Sequence, residues 1–294
     1  MEKEETHFIK MSDLMLANYQ TLENNYSEEK ELSGLPTGFI QLDKLTLGLQ
    51  RNDLIVVAGR SCAGKTIFLV NIARHLAVKA EEEAAIVIFS LEKSAEDFSM
   101  AMLSCETGIK MSNLRKGQLK PKDWRDLASA TGRLAEANVT IDDTSLISVD
   151  DLYSRCVQLK ETDKLDIVMI DSLQLIKPSK FYEDAHQEIA EKLSGLKSLA
   201  RELKVPVVIS SRINDHDYYD ARRPLLEDLP GSCAIDQYAD LILFIRRPRT
   251  AEWDGLAEIS VAKQRNGPEG AVRLHFFGDT NRFNTIYDDS YFYD

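Results

Sequence analysis

Residues 54–66 read LIVVAGRSCAGKT, which is an apolar run followed by a glycine-rich loop. A short continuous apolar run is typical of a buried parallel strand, and the residues from Ile67 to Ala80 follow with helical spacing. Between these segments, the glycines let backbone N–H groups close around phosphate oxygens, and the helix N-terminus adds its positive dipole end. The pattern therefore predicts a nucleotide phosphate site. Its residues are Gly59, Arg60, Ser61, Cys62, Ala63, Gly64, Lys65 and Thr66.

Four side chains have the chemistry that phosphoryl transfer needs. Lys65 is expected to reach the β- and γ-phosphates, and the Thr66 hydroxyl to bind Mg²⁺. Asp171 ends an apolar run, where a nucleoside triphosphatase holds its Mg²⁺, usually through water; the alternative is an N-cap for the following turn. Glu92 follows another apolar run and is a candidate to orient or deprotonate the attacking water; the alternative is simple exposure.

Apolar runs and helical segments alternate along the rest of the chain. This alternation predicts an α/β fold with a mostly parallel sheet that helices cover on both faces. Residues 257–262 and 271–276 flank a turn, so we expect an antiparallel hairpin at the sheet edge. The other predicted strands are 85–89, 139–141, 167–170, 205–209 and 241–245, and the predicted helices are about 95–107, 121–136, 149–161 and 184–203.

Two cations, Lys263 and Arg265, stand at the end of the first hairpin strand, just before the turn. One interpretation is a solvated basic hairpin tip. The other is positive charge supplied to a γ-phosphate, within the chain or from a neighbouring subunit, as an arginine finger does.

The composition is that of an ordinary globular protein, with 44% hydrophobic and 29% charged residues among 294. The sequence has neither a run of about 18 apolar residues nor the apolar stretch of a secretory signal, so we expect no membrane helix and no secretion. Four cysteines stand alone, which favours a reducing, cytoplasmic setting, with Cys105 and Cys156 as core residues.

The formal net charge of the chain is −12. A protein that coats duplex DNA usually has the opposite sign, so this charge argues against a broad DNA-binding surface. It leaves room for a narrow basic lining inside a ring, because only a few positive groups need to face a single strand.

The two ends of the chain differ from its centre. Residues 1–33 are rich in Glu and contain a predicted amphipathic helix, followed by a charged linker over residues 24–33. This helix either packs on its own domain or docks on a neighbouring subunit. Residues 288–294 are acidic and aromatic and are expected to form a frayed tail. The apolar residues of the helix are Phe8, Met11, Leu14, Met15, Tyr19 and Leu22.

Several short stretches occur in the order found in one known family. They are 35–39 (LPTGF), 42–43 (LD), 48–50 (GLQ), 89–92 (FSLE), 141–144 (IDDT), 170–176 (IDSLQLI), 196–203 (LKSLAREL) and 263–268 (KQRNGP). On these stretches, residues 34–287 resemble the ATPase domain of bacterial DnaB-type replicative helicases, which has a RecA-like P-loop fold. Residues 11–26 also resemble the linker helix that, in the family, docks on the adjacent subunit.

The resemblance implies a motor that forms homo-oligomeric, hexameric rings and moves 5′–3′ along single-stranded DNA. Its ligands are ATP and Mg²⁺, its ATP is hydrolysed at subunit interfaces, and other replisome proteins are candidate partners. By this resemblance, the phosphate-loop pair is Lys65 and Thr66, the catalytic glutamate is Glu92, the Mg²⁺ aspartate is Asp171, and the cations presented to the neighbour's nucleotide are Lys263 and Arg265.

One departure from the family pattern concerns nucleotide sensing. Arg212 follows the predicted strand ending in Ser211, where the family normally has a glutamine that senses the γ-phosphate. A cation in place of a neutral amide preserves the ability to contact phosphate but changes how the nucleotide state is relayed. Arg212 is therefore counted among the candidate catalytic residues.

Two loops expected to face DNA are also altered. The family's Asp-Leu-Arg-Glu-Ser-Gly loop reads DLPGSC at residues 228–233, where Gly231 and Ser232 remain candidates for DNA contact. The loop before the last long helix keeps two lysines, Lys177 and Lys180, but adds two acids. The family's N-terminal collar domain has no counterpart in this sequence.

Two hypotheses of different classes follow. The leading one is a ring-forming, Mg-ATP-dependent motor of the DnaB helicase class. The alternative is an accessory or regulatory paralogue that binds ATP and unwinds DNA weakly or not at all. The intact hydrolysis residues favour the motor, and the altered DNA loops and the net charge of −12 favour the accessory protein.

Overall fold

A computed structural model describes residues 8–27, 32–80, 83–162, 164–213, 222–248 and 250–286. The predicted tail at 288–294 and residues 28–31 of the predicted linker lie outside these ranges. Within them, every helix is too short or too polar to cross a lipid bilayer.

The described residues form nine α-helices and nine strands. The helices are α1 Met11–Ser27, α2 Ile40–Thr46, α3 Lys65–Val78, α4 Ala95–Thr107, α5 Met111–Lys116, α6 Pro121–Glu136, α7 Val149–Thr162, α8 Ala185–Leu203 and α9 Ser232–Tyr238. The strands are β1 Leu54–Gly59, β2 Ile86–Ser90, β3 Val139–Asp142, β4 Ile167–Asp171, β5 Val207–Arg212, β6 Leu241–Arg246, β7 Leu256–Gln264, β8 Gly270–Phe277 and β9 Arg282–Thr285.

All nine strands belong to one sheet, in the order β3-β2-β4-β5-β1-β6-β7-β8-β9. The first six are parallel to one another, and β7, β8 and β9 are each antiparallel to the strand before them. The predicted parallel sheet and its antiparallel hairpin are thus confirmed, with β9 as an additional edge strand.

Helices cover both faces of the central strands. In β1, Ile55 and Val57 face the layer of α3, α4 and α6, whereas Leu54, Val56 and Ala58 face α7, α8 and α9. Every residue of β1 is therefore buried, which is why its sequence is apolar throughout instead of alternating.

Some boundaries differ from the sequence-based expectation. The strand β5 begins at Val207 and not at Val205. The Val205 N–H donates to the Ala200 carbonyl at the end of α8, and Pro206 has no N–H to donate to a neighbouring strand. The helix α1 continues to Ser27 and so includes the first four residues of the predicted linker. The elements missed entirely are α2, α5, α9 and β9.

The predicted amphipathic helix α1 exposes its apolar side chains. The exposed fraction runs from 40% for Leu14 to 88% for Tyr26. This exposure disfavours the interpretation in which α1 packs on its own domain, and it leaves a row of apolar groups available to another surface. Cys105 and Cys156, in contrast, are fully buried, as predicted.

An aromatic cluster lies beneath the start of α3. The rings of Phe39 and Phe68 stack at 5.1 Å, and Phe283 of β9 lies 5.8 Å from Phe68 and 4.9 Å from Phe276. Phe283 thereby packs the edge strand β9 against α3, the helix that follows the phosphate loop.

We expect Phe283→Ala to lower the free energy of unfolding by about 3–5 kcal/mol, because truncating a buried phenylalanine removes apolar contact and leaves a cavity. Phe277→Ala is the matched control, since this ring at the end of β8 is 47% exposed. Urea unfolding followed by circular dichroism measures both variants. Equal losses in the two variants would contradict the anchoring role of Phe283.

Candidate nucleotide site

The phosphate loop connects the carboxyl end of β1 to the first turn of α3. A Cβ at Gly59 would lie 2.8 Å from the Ile245 carbonyl oxygen, so a side chain there does not fit. Gly64 has a φ of +104°, and a Cβ there would lie 3.1 Å from the Phe283 ring. Both glycines are therefore required by the backbone path, and the path turns the loop back onto the start of α3.

Lys65 lies inside this loop and is only 8% exposed. Its ammonium donates to the carbonyl oxygens of Gly59 and Arg60, each at 2.9 Å. Burial lowers the pKa of Lys65, and the negative charges of Asp171 and Glu92 oppose that shift. A buried ammonium that donates to neutral carbonyl oxygens has a strong electrostatic reason to bind phosphate.

Asp171 at the end of β4 is joined to the loop through Thr66. The Thr66 hydroxyl donates to Asp171 Oδ2 at 2.6 Å, and the Ser210 hydroxyl of β5 donates to Asp171 Oδ1. The carboxyl group is buried and lies beside the loop, which is the arrangement predicted from the sequence.

These oxygens fit a magnesium ion. Mg²⁺ in phosphoryl-transfer sites is bound by one or two protein oxygens, substrate phosphates and water, and it does not need a cage of protein ligands. The hydroxyl of Thr66 and the carboxylate of Asp171 supply such a pair. Across the described ranges, no group of three or more His, Cys, Asp or Glu side chains is placed to hold a metal ion.

Glu92 and Arg212 meet at the carboxyl ends of the parallel strands, where Asp171 also lies. The Glu92 N–H donates to the Asp171 carbonyl at 3.1 Å, which fixes the residue next to the aspartate. Its carboxylate pairs with the Arg212 guanidinium at 3.1 Å. Gln174 was not among the predicted site residues; its amide donates to the Ser211 hydroxyl at 3.0 Å and accepts from the Arg212 N–H at 3.3 Å.

Lys263 and Arg265 lie at the opposite end of the sheet. Lys263 is level with Ile242 near the start of β6, whereas Gly59 is level with Ile245 near its end. The cations are thus about 10 Å away along the strands and two strands to the side, which is about another 10 Å. The structure therefore does not bring them together with the phosphate loop of their own chain.

Both cations are held by the end of α9. Lys263 pairs with Asp236 at 3.0 Å, and Arg265 donates to the Gln237 carbonyl at 2.5 Å. The guanidinium of Arg265 also lies 3.5 Å from the carboxylate of Asp240. Both side chains are therefore oriented by contacts within their own chain.

The predicted DNA-facing loops both adjoin α8: one precedes this helix in the chain, and the other packs against it through Gly231. Lys177 and Lys180 are exposed. Gly231 has a φ of +69° and is buried against Ile189 of α8, where a Cβ would lie 2.8 Å from that side chain. Ser232 is half-buried, so the exposed polar groups of this region come mainly from the lysine loop.

Arg247 is a second residue that the sequence analysis missed. It follows β6, next to β1 in the sheet, and its guanidinium donates to the Cys62 carbonyl at 3.2 Å. The same group lies 3.4 Å from the centre of the Phe276 ring. A cation directly after a strand that borders the phosphate-loop strand was the signal that could have found it.

A sequence profile described as the DnaB-like helicase C terminal domain matches residues 34–285. The chain belongs to this DnaB-like helicase family. Two curated relatives support the assignment. "Replicative DNA helicase DnaB" of Geobacillus stearothermophilus is 42% identical over 282 residues, covering 94% of this chain and 62% of that protein. "Replicative DNA helicase DnaC" of Bacillus subtilis is 39% identical over 297 residues, covering 98% and 65%. The chain spans somewhat less than two thirds of either relative.

Solved structures with the same fold include a free-standing ATPase domain and a longer helicase chain. The structure described as an ATPase domain superposes with a TM-score of 0.86 at 28% identity, covering 94% of this chain and 99% of that one. "The Structure Of A DnaB-Like Replicative Helicase And Its Interactions With Primase" gives a TM-score of 0.83 at 28% identity, covering 95% and 67%. The RecA-like α/β prediction is confirmed.

In this DnaB-like domain, Arg265 lies beside two acidic residues, Asp53 and Asp240, at the amino ends of the strands. Asp240 accepts from the Leu54 N–H at 2.8 Å and from the Lys197 ammonium at 2.5 Å. Burial, followed by the negative charge of Asp240, raises the pKa of the neighbouring Asp53 to about 6.

This raised pKa makes the stability of the DnaB-like domain depend on pH. The folded chain retains a proton on Asp53 that the unfolded chain releases, so stability falls as the pH rises from about 4 to about 6. We expect Asp53→Asn to raise the thermal unfolding midpoint above about pH 6 and to leave it nearly unchanged at about pH 4. Asp126→Asn, at an exposed position of α6, controls for the loss of one charge. An identical pH profile for Asp53→Asn and wild type would disprove the assignment.

Proposed function

We propose that the chain is the ATP-hydrolysing motor of a DnaB-class helicase and acts on single-stranded DNA in a ring of identical subunits. The observation that carries this proposal is the position of the two sets of functional groups. The phosphate loop with Thr66, Asp171 and Glu92 occupies one end of the sheet, and Lys263 with Arg265 occupies the other. Such a chain supplies the phosphate-binding half of a nucleotide site at one end of its sheet and the cations of a second nucleotide site at the other end.

Within one subunit, the loop residues would bind ATP. Lys65 would neutralise the β- and γ-phosphates, because its buried ammonium already faces the loop interior. Thr66 and Asp171 would hold Mg²⁺, which supplies positive charge to the phosphate oxygens as the terminal bond breaks. Glu92 is the candidate general base, since its backbone is fixed to Asp171 while its carboxylate is 38% exposed to incoming water.

Between subunits, Lys263 and Arg265 would complete the site of a neighbour. Heterologous contacts of this kind close into rings, and six subunits is the number that the family resemblance implies. The exposed apolar side of α1 supports the same assembly, because it offers an uncovered apolar surface on which the next subunit could pack.

The proposed track of the motor is single-stranded DNA. Lys177 and Lys180 are exposed in the loop before α8, and a few positive groups per subunit suffice to follow one strand. Relatives carry the name replicative DNA helicase, and one similar structure describes interactions with primase, which makes replication proteins candidate partners.

A second candidate function is an accessory ATP-binding protein of a helicase ring. The net charge of −12 and the altered loop at residues 228–233 favour it, because the loop lacks the family's arginine and Gly231 is buried. Loss of a phosphate contact from every subunit would weaken DNA binding and its dependence on salt.

Steady-state ATP hydrolysis with and without single-stranded DNA at low salt separates the two candidates. We expect DNA to stimulate turnover several-fold in the wild type. Lys65→Ala should lower turnover about 100-fold or more in both conditions, because removal of one charge-stabilising group costs about that much. Lys180→Gln tests the DNA surface and should weaken the stimulation while leaving turnover without DNA unchanged.

Hydrolysis that depends on Lys65 but is indifferent to DNA would support the accessory function. Absence of both nucleotide binding and hydrolysis in the wild type would contradict both candidates.

A further inference from the structure

The Arg212–Glu92 ion pair joins two groups that the proposed reaction needs separately. Arg212 ends β5, where it is level with Gly59 of the phosphate loop, and Glu92 lies two residues beyond β2. Their side chains meet with a distance of 3.1 Å between Arg212 Nη2 and Glu92 Oε1. The candidate general base is therefore paired with a cation that lies beside the phosphate loop.

The main chains of both residues are fixed, so only the side chains are free to exchange partners. The Glu92 N–H donates to the Asp171 carbonyl, and the Arg212 N–H donates to Gln174 Oε1. The side chains of Arg212 and Glu92 are 51% and 38% exposed. An ion pair this open to water contributes little free energy, so a more highly charged anion displaces the carboxylate readily.

We propose that Arg212 is a positioning residue that restrains Glu92 until a γ-phosphate draws its guanidinium away. A phosphate accepts two hydrogen bonds from a guanidinium and carries more negative charge than a carboxylate. ATP therefore competes with Glu92 for Arg212, whereas ADP, which lacks the γ-phosphate, does not. The released Glu92 carboxylate then faces the attacking water. This inference rests on the proposed ATP site and adds a mechanism by which the chain distinguishes ATP from ADP.

The pair has a measurable consequence for binding. In the wild type, ATP must break the pair and ADP need not, so the pair lowers affinity for ATP alone. Glu92→Gln removes the competing charge. It should tighten binding of a non-hydrolysable ATP analogue about two- to fivefold, the range expected from an exposed ion pair, and leave ADP affinity unchanged.

The test is a double-mutant cycle on the full chain with the ATP analogue and ADP, both with Mg²⁺, by titration calorimetry. The variants are Glu92→Gln, Arg212→Gln, their combination, and Arg212→Lys. The gain from Glu92→Gln should disappear in the Arg212→Gln background and be at least partly retained in Arg212→Lys, which keeps the cation. Lys93→Gln removes an exposed charge from the same loop and should leave the gain from Glu92→Gln intact.

The outcomes distinguish failure of the restraint alone from failure of the ATP site. A gain that persists in the Arg212→Gln background would mean that Glu92 repels the phosphate directly, and the restraint would be wrong. A gain that is absent, or equal for ATP analogue and ADP, would also overturn it. If the wild type binds neither nucleotide, the proposed ATP site itself fails, and the restraint fails with it. Retained ADP binding by Arg212→Gln shows that this variant is folded.

Discussion

The parallel direction of the six strands from β3 to β6 is the constraint on which the functional arrangement depends. Parallel strands all end at one edge of a sheet, so β1, β4 and β5 deliver Gly59, Asp171 and Arg212 to the same place. The first reversal of direction occurs at β7, which returns the chain to the amino ends of the parallel strands. Lys263 lies there because β7 is antiparallel, and not because of its distance in sequence from the phosphate loop.

The phosphate loop is supported from two sides by groups of its own chain. The ring of Phe283 lies under Gly64, and the Ile245 carbonyl lies against Gly59. Asp171 accepts hydrogen bonds from both Thr66 and Ser210, which ties the start of α3 to β4 and β5. Preorganised donors and charges of this kind lower the cost of reorganisation when phosphate binds.

The sequence predicted the central sheet and the position of the glycine loop between β1 and α3 because the signals for both are local. Continuous apolar runs identified the buried strands, and glycine spacing identified the loop. The helices α2 and α9 have only seven residues each, which is too short for a helical period to stand out. The Arg212–Glu92 pair and the contact of Arg247 with Cys62 join residues that are 120 and 185 positions apart, so no local pattern could reveal them. The burial of Gly231 depends in the same way on α8.

We propose that each complete catalytic centre is divided between two subunits, and ATP hydrolysis by mixed variants tests this division most directly. Lys65→Ala removes the phosphate-loop end, and Arg265→Ala removes the opposite end. Each variant alone should be nearly inactive. Mixed in equal amounts and reassembled, they should regain about a quarter of wild-type activity, because about one interface in four pairs an intact Lys65 with an intact Arg265. A mixture no more active than the separate variants, or full activity in Arg265→Ala alone, would contradict the claim.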